Sequence, residues 1–157
     1  MGEQNVKMSE RLAVIGVLDP VVVVDTELFT DYIDMQDFEQ VLGICMTGNV
    51  NNKTFDFTAY GYSSTAGADV TTLKACTQLA AHATTSDNLQ LVIGICRQDL
   101  VAKGATPTTL RYVRFGILSQ AAQDGPVAIL AIAGDARYGL AREQNLASVA
   151  EIEEDLN

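Results

Sequence analysis

The sequence has no tryptophan, one histidine, three cysteines and three prolines, and its 20 acidic residues outnumber its 10 basic ones two to one. Each shortage narrows the function. With His82 alone there is no histidine pair for a metal, and neither a Ser-Gly elbow nor a nearby cysteine marks a nucleophile–base pair. His82, between Ala81 and Ala83, reads as an ordinary surface or loop histidine. Cys45, Cys76 and Cys96 are odd in number, widely spaced and without metal-ligand spacing. Two of them lie inside apolar runs, so all three read as free structural thiols of a reducing compartment. Gly61, Gly67 and Gly104 stand alone, without a phosphate-loop lysine or a second glycine in register. The apolar stretch from Leu12 to Val24 is broken by Asp19-Pro20 and is too short to span a bilayer. No small-residue cleavage site follows it, so cytoplasmic synthesis is expected. No enzyme, cofactor or metal is read from these residues.

The acid is unevenly placed. Residues 1–18 balance, residues 19–39 carry seven acids and no base, residues 40–141 sum to +1, and the stretch from Arg142 sums to −4. A body near neutrality with acid gathered in two segments has no basic patch for nucleic acid, whose affinity comes largely from phosphate neutralisation. Anionic membranes are disfavoured on the same ground. Asp31, Asp34 and Asp37 recur at intervals of three, but no central glycine and distal glutamate stand in register for a calcium loop. They read as solvated loop acids.

Hydrophobic residues make up 48% of the 157, enough for one domain with one core. The pattern is that of strands. Lys53–Tyr62 alternates, with Phe55, Phe57, Ala59 and Gly61 on one face and Thr54, Asp56, Thr58, Tyr60 and Tyr62 on the other. Leu12–Leu18, Val21–Val24, Phe38–Thr47, Leu89–Cys96, Leu110–Leu118 and Val127–Ala133 are further apolar runs bounded by turn residues. Asn49–Asn52 reads as a hairpin loop between two of them. Thr71–Ala83 fits either a helix or a short strand and loop. The expected fold is all-β, a β-sandwich or jelly-roll-like barrel with short or no helices, an extended N-terminal segment and an acidic C-terminal tail. The division is an extended segment 1–28, a β-sandwich domain 29–140, and a tail or short helix 141–157. The expected core includes Phe55, Phe57, Val92, Ile95, Val113, Phe115, Ile129 and Ile132.

Arg97, Arg111, Arg114 and Arg137 lie in or beside apolar strands. They either snorkel to solvent or pair, with Asp99, Asp135 or acids of a neighbouring subunit. At Arg111-Tyr112-Val113-Arg114 the chain resembles a family of small structural proteins encoded near the major capsid gene of tailed phages. Other motifs follow the same order: Asp34-Met35-Gln36-Asp37-Phe38-Glu39, Thr54-Phe55-Asp56-Phe57, Lys74-Ala75-Cys76-Thr77-Gln78-Leu79, Arg97-Gln98-Asp99-Leu100 and Ala136-Arg137-Tyr138-Gly139. The resemblance covers residues 30–140 and implies a β-sandwich virion protein with no catalytic residues.

The resulting expectation is a decoration, or cement, protein on the outer surface of a phage head. Its partners would be the major capsid protein and further copies of itself, a trimer being the first choice. A neck or tail protein is an alternative. A glycan- or receptor-binding module of a head fibre is another, with Tyr60, Tyr62 and Tyr112 stacking on sugars. Candidate interface residues are Val21, Val22, Val23, Val24, Asp34, Asp37, Arg111, Arg114 and Arg137. Residues 12–39 are expected to reach along the shell as an arm, pairing strand edges through Val21–Val24.

Overall fold

The computed structural model describes residues 11–23, 26–49, 54–76, 88–103, 109–119 and 126–136, with side chains as far as Gly134 in the last of these. They form two antiparallel sheets and one short helix. Nine strands run β1 (Leu12–Val22), β2 (Leu28–Phe29), β3 (Ile33–Asp34), β4 (Phe38–Thr47), β5 (Phe55–Tyr62), β6 (Val70–Ala75), β7 (Gln90–Cys96), β8 (Tyr112–Ser119) and β9 (Pro126–Ala136). The helix α1 (Arg97–Lys103) follows β7 directly. The first sheet has the order β1-β9-β4-β7; the second has β2-β8-β5-β6, with β3 also paired to β8. Counting β2 and β3 as one interrupted strand, this is the order of a jelly roll, in which successive strands are dealt between two sheets.

Alternation builds the second sheet. Phe55, Phe57 and Ala59 of β5 and Val113, Phe115 and Ile117 of β8 all point inward and are completely buried. The Phe57 and Phe115 rings stack with centroids 5.9 Å apart. Phe115 reaches across to the first sheet, where Gly43 makes room: a Cβ at Gly43 would lie 2.4 Å from the Phe115 ring. Val41, Cys45, Ile93, Ile95, Val127, Ile129 and Ala131 complete the core from that side. Burial, aided by the neighbouring Cys76 thiol, pushes the Cys45 thiol up to about 12. All three cysteines are free, with Cys76 and Cys96 half-buried.

Several expectations from the sequence change here. Val92 and Ile132 are not core: Val92 is 52% exposed, and both lie on the outer face of the first sheet. Apolar runs such as Leu91–Cys96 do not alternate in polarity, so the sequence does not say which residues turn inward. Nor do β4 and β5 form a hairpin. Both neighbours of β4 are taken, by β7 and β9, and the chain crosses to the other sheet before β5. Turn residues mark a reversal without saying which sheet receives the chain. Within Thr71–Ala83 the described part is a strand to Ala75, and residues 77–83 lie outside the described residues.

The N-terminal segment also differs from the reading of residues 1–28 as an extended piece outside the sandwich. Leu12–Val22 is a full strand of the first sheet, paired along β9 from Leu12↔Gly134 to Val22↔Pro126. Val23 is completely buried in the core. The Asp-Pro break is absorbed as an irregularity between Leu18 and Val21, where a proline fits an edge strand. The expected tail, residues 141–157, lies outside the described residues.

The outward side of the first sheet is apolar in successive cross-strand rows. One row runs Val14, Ile132, Leu42, Gly94; the next runs Val17, Leu130, Ile44, Val92. The last is Ala128, Met46, Gln90. None of these side chains is charged. The second sheet has the ordinary polar exterior, with Asp56, Tyr60, Arg114 and Thr72.

Candidate interaction surface

The edge of the second sheet is a strand that has been interrupted and then fastened. β2 pairs Leu28 and Phe29 with Ile117 and Gly116, and β3 pairs Ile33 and Asp34 with Val113 and Tyr112. Between them the ladder breaks at Thr30, a buried polar residue. The Thr30 N–H still donates to the Phe115 carbonyl at 3.0 Å. The Phe115 N–H, however, donates to the Thr30 hydroxyl at 3.1 Å, and the Thr30 carbonyl accepts instead from Arg114 Nε at 2.8 Å. A side-chain oxygen thus stands in for a backbone one, so the break leaves no buried donor unsatisfied.

Two arginines hold this edge. Arg114 lies between two rings, 4.6 Å from the Phe29 centroid and 4.4 Å from that of Tyr32, a geometry favourable to a guanidinium. Arg111 Nε lies 3.0 and 2.9 Å from the two oxygens of Asp34, and its terminal nitrogen also donates to that carboxylate. Asp34 in turn accepts the Gln36 N–H at 2.9 Å, closing the turn that places Met35 in the core. Burial pushes the Asp34 carboxyl up, but the Arg111 hydrogen bonds, the Gln36 N–H and the Arg111 charge outweigh it and hold the group below its ordinary 3.8.

A second clamp closes the other side of the sandwich, where β6 and β7 face each other as edges. Lys74 Nζ donates to the Gly94 carbonyl and to Asp99 Oδ2, both at 2.9 Å. The same Asp99 oxygen accepts the Cys96 N–H at 2.8 Å, at the start of α1. Asp99 is also held below 3.8: its burial is outweighed by these bonds to Cys96 and Lys74. Carboxyls lowered in the fold stabilise it fully above their unfolded values, and that stabilisation is lost as pH falls through the lower folded values. Stability should therefore be level near neutrality and fall steeply below about pH 4. Denaturant titrations of the wild type and of Asp34→Asn with Asp99→Asn check this, the double variant being expected to show the shallower acid fall.

The expected interface residues fare differently. Asp34, Arg111 and Arg114 are brought together along the β2–β3 edge of the second sheet. Val21 and Val22 pair inside the chain with Val127 and Pro126, so they do not belong to a free arm. Asp37 is exposed on the turn, beside exposed Gln36, and Asp31 is exposed as well. Val24 and Arg137 lie outside the described residues. Arg97 approaches Glu39 at 4.0 Å rather than Asp99, and the side chain of Asp135 lies outside the described residues.

The three tyrosines do not form a flat platform. Tyr62 is 4% exposed and meets Tyr32 edge-on. Tyr112 has Arg111 over its ring and Tyr32 against its edge. Tyr60 donates to Glu27 Oε1 at 2.6 Å and meets Phe29 edge-on; burial and that carboxylate push its hydroxyl up to about 12. The role of Thr30 was missed from sequence. A threonine in a strand edge is unremarkable until its pairing partner is known.

Among the described residues no three His, Cys, Asp or Glu side chains gather as a metal site, and no helix is long and apolar enough to cross a membrane. No protein-family model matches the chain, and no curated protein matches it.

Proposed function

We propose that this chain is a non-enzymatic structural protein of a tailed-phage virion, decorating the outer surface of the head by docking on the major capsid protein. What supports the reading is that the motifs of the resemblance, scattered along the sequence, meet as pairs in the fold. Asp34 of the first motif is gripped by Arg111 of Arg111-Tyr112-Val113-Arg114, 77 residues away. Lys74 of the third motif is gripped by Asp99 of Arg97-Gln98-Asp99-Leu100. Phe55 and Phe57 of the second are core. A jelly roll alone carries no function.

The docking surface on this reading is the clamped edge, which presents the exposed Asp31 and Asp37 on a rigid support. An acidic edge suits the outside of a shell, because packaged DNA would repel it from the inside. Reversing Asp31 and Asp37 to lysine should leave the fold intact and weaken binding to particles stripped of the protein by about tenfold at physiological salt. Raising the salt should weaken wild-type binding only partly, since close charge pairs are screened and apolar contact is not. Binding equal to wild type by the double lysine variant would move the contact elsewhere on the sandwich.

A further inference from the structure

The outer face of the first sheet has the composition of an interior. An antiparallel sheet with one face on a core ordinarily alternates apolar-in and polar-out, as the second sheet does here. The first does not: Leu42, Ile44, Met46, Val92, Leu130 and Ile132 share its outward side. Leu42, Met46 and Val92 are 39%, 40% and 52% exposed.

We infer that this face pairs with the same face of a second copy of the chain, sheet on sheet. Charge is the first argument. The chain carries −10 overall, which would keep copies apart, yet none of the cross-strand rows from Leu42 to Met46 contains a charge. Glu27, Asp31, Asp34 and Asp37 belong to the edge of the other sheet and its connection to β4, and Glu39, at the start of β4 and outside those rows, approaches Arg97 at 4.0 Å. Two copies therefore meet here without like-charge contact.

Area is the second argument. The four strands have 11, 11, 10 and 7 residues. At ~3.3 Å per residue and ~4.8 Å per strand they present on the order of 600 Å² in projection. With its polar ends included, the face is as large as the biggest apolar patches on monomers, about 300–600 Å². Two such faces bury about 1,200 Å², where specific protein pairs of standard size begin.

Shape gives the register. At one end of the face, Gly94 and Gly134 leave a hollow of about 520 Å³, bordered by Leu12, Leu42 and Ile132, with Gln40 and the mutually paired Lys74 and Asp99 also on its wall. At the other end Met46 projects between Ala128 and Gln90. A two-fold axis in the plane of the face and across the strands, passing near Ile44, lays each end on the other. Met46 of each copy then enters the hollow of its partner, as an isologous contact requires.

The pairing stands apart from the decoration reading and is measured without particles. Sedimentation of the purified full-length chain should give a two-chain mass at micromolar concentration. Val92→Glu places a charge at a site already half exposed, so it should keep the far-UV spectrum while weakening the pair about 100-fold. Gly94→Leu, whose Cβ would lie 3.8 Å from Leu42, should fill the hollow and weaken it similarly. Val101→Glu, on the exposed side of α1, should change nothing. A one-chain or three-chain mass for the wild type overturns the inference, as does a Val92→Glu protein that remains paired. So does a full-length monomer that pairs only after removal of residues 137–157, which would make that segment the occupant of the face.

Discussion

Phe57→Ala is expected to lower the unfolding free energy by about 3–5 kcal/mol, measured by denaturant titration. Phe57 is completely buried and stacks on Phe115. Phe115 in turn rests on the backbone at Gly43, where a single added carbon would already overlap its ring. The rings bridge the two sheets, and each sheet is held in register by paired strands on either side. The void left by Phe57 therefore has little freedom to collapse, which places the cost toward the high end for its chemistry. Tyr60→Ala, three positions along the same strand on its outer side, should cost about 1–2 kcal/mol. It gives up the Glu27 hydrogen bond and an edge contact with Phe29 while leaving the core filled. Equal losses would mean that the outer side of β5 is packed as fully as the inner.

Removing residues 1–28 is expected to abolish cooperative unfolding altogether. The deletion takes out β1, strips β9 of one neighbour and removes Val23 from the core. It also removes Leu28 from the edge held by Arg114. A domain of this size has a net stability of only about 5–15 kcal/mol, less than the loss of an 11-residue strand and its buried side chains. Calorimetry of the truncated chain should show no heat-absorption peak. Removing residues 1–10 alone leaves β1 whole and should preserve the transition, which makes it the cleaner test of any N-terminal reach toward a shell. A folded, cooperative product from the longer deletion would mean that β1 is dispensable to the sandwich.

Legibility differed from strand to strand, for physical reasons. β5 was plain because its inner side meets the core and its outer side is mixed, so the polarity alternates with the pleat. β7 and β9 are recognisable as strands, but of their expected core residues only Ile95 and Ile129 face inward, because both sides are apolar and the pattern does not separate them. The same property that hid Val92 and Ile132 exposes the outer face of the first sheet as a contact surface. The arginines stand out beside apolar strands in the sequence, and pairing is one of the two readings they allow. That Arg111 would choose Asp34 was not visible, since 77 residues separate them and only the adjacency of β3 and β8 brings them together.

The sequence by itself determined the class of fold, because the period of two and the Val- and Ile-rich runs suit no other backbone. It also determined the segregation of charge, which is a property of order along the chain. Only the tertiary structure decided which strands are neighbours. It made Leu12–Val22 part of the first sheet rather than an arm, dealt β4 and β5 to different sheets, and turned the Thr30 hydroxyl into a substitute for a backbone acceptor. Pairing between strands distant in the chain depends on which edges remain open once the others have paired. That competition is settled by the whole sandwich at once, and no local pattern encodes it.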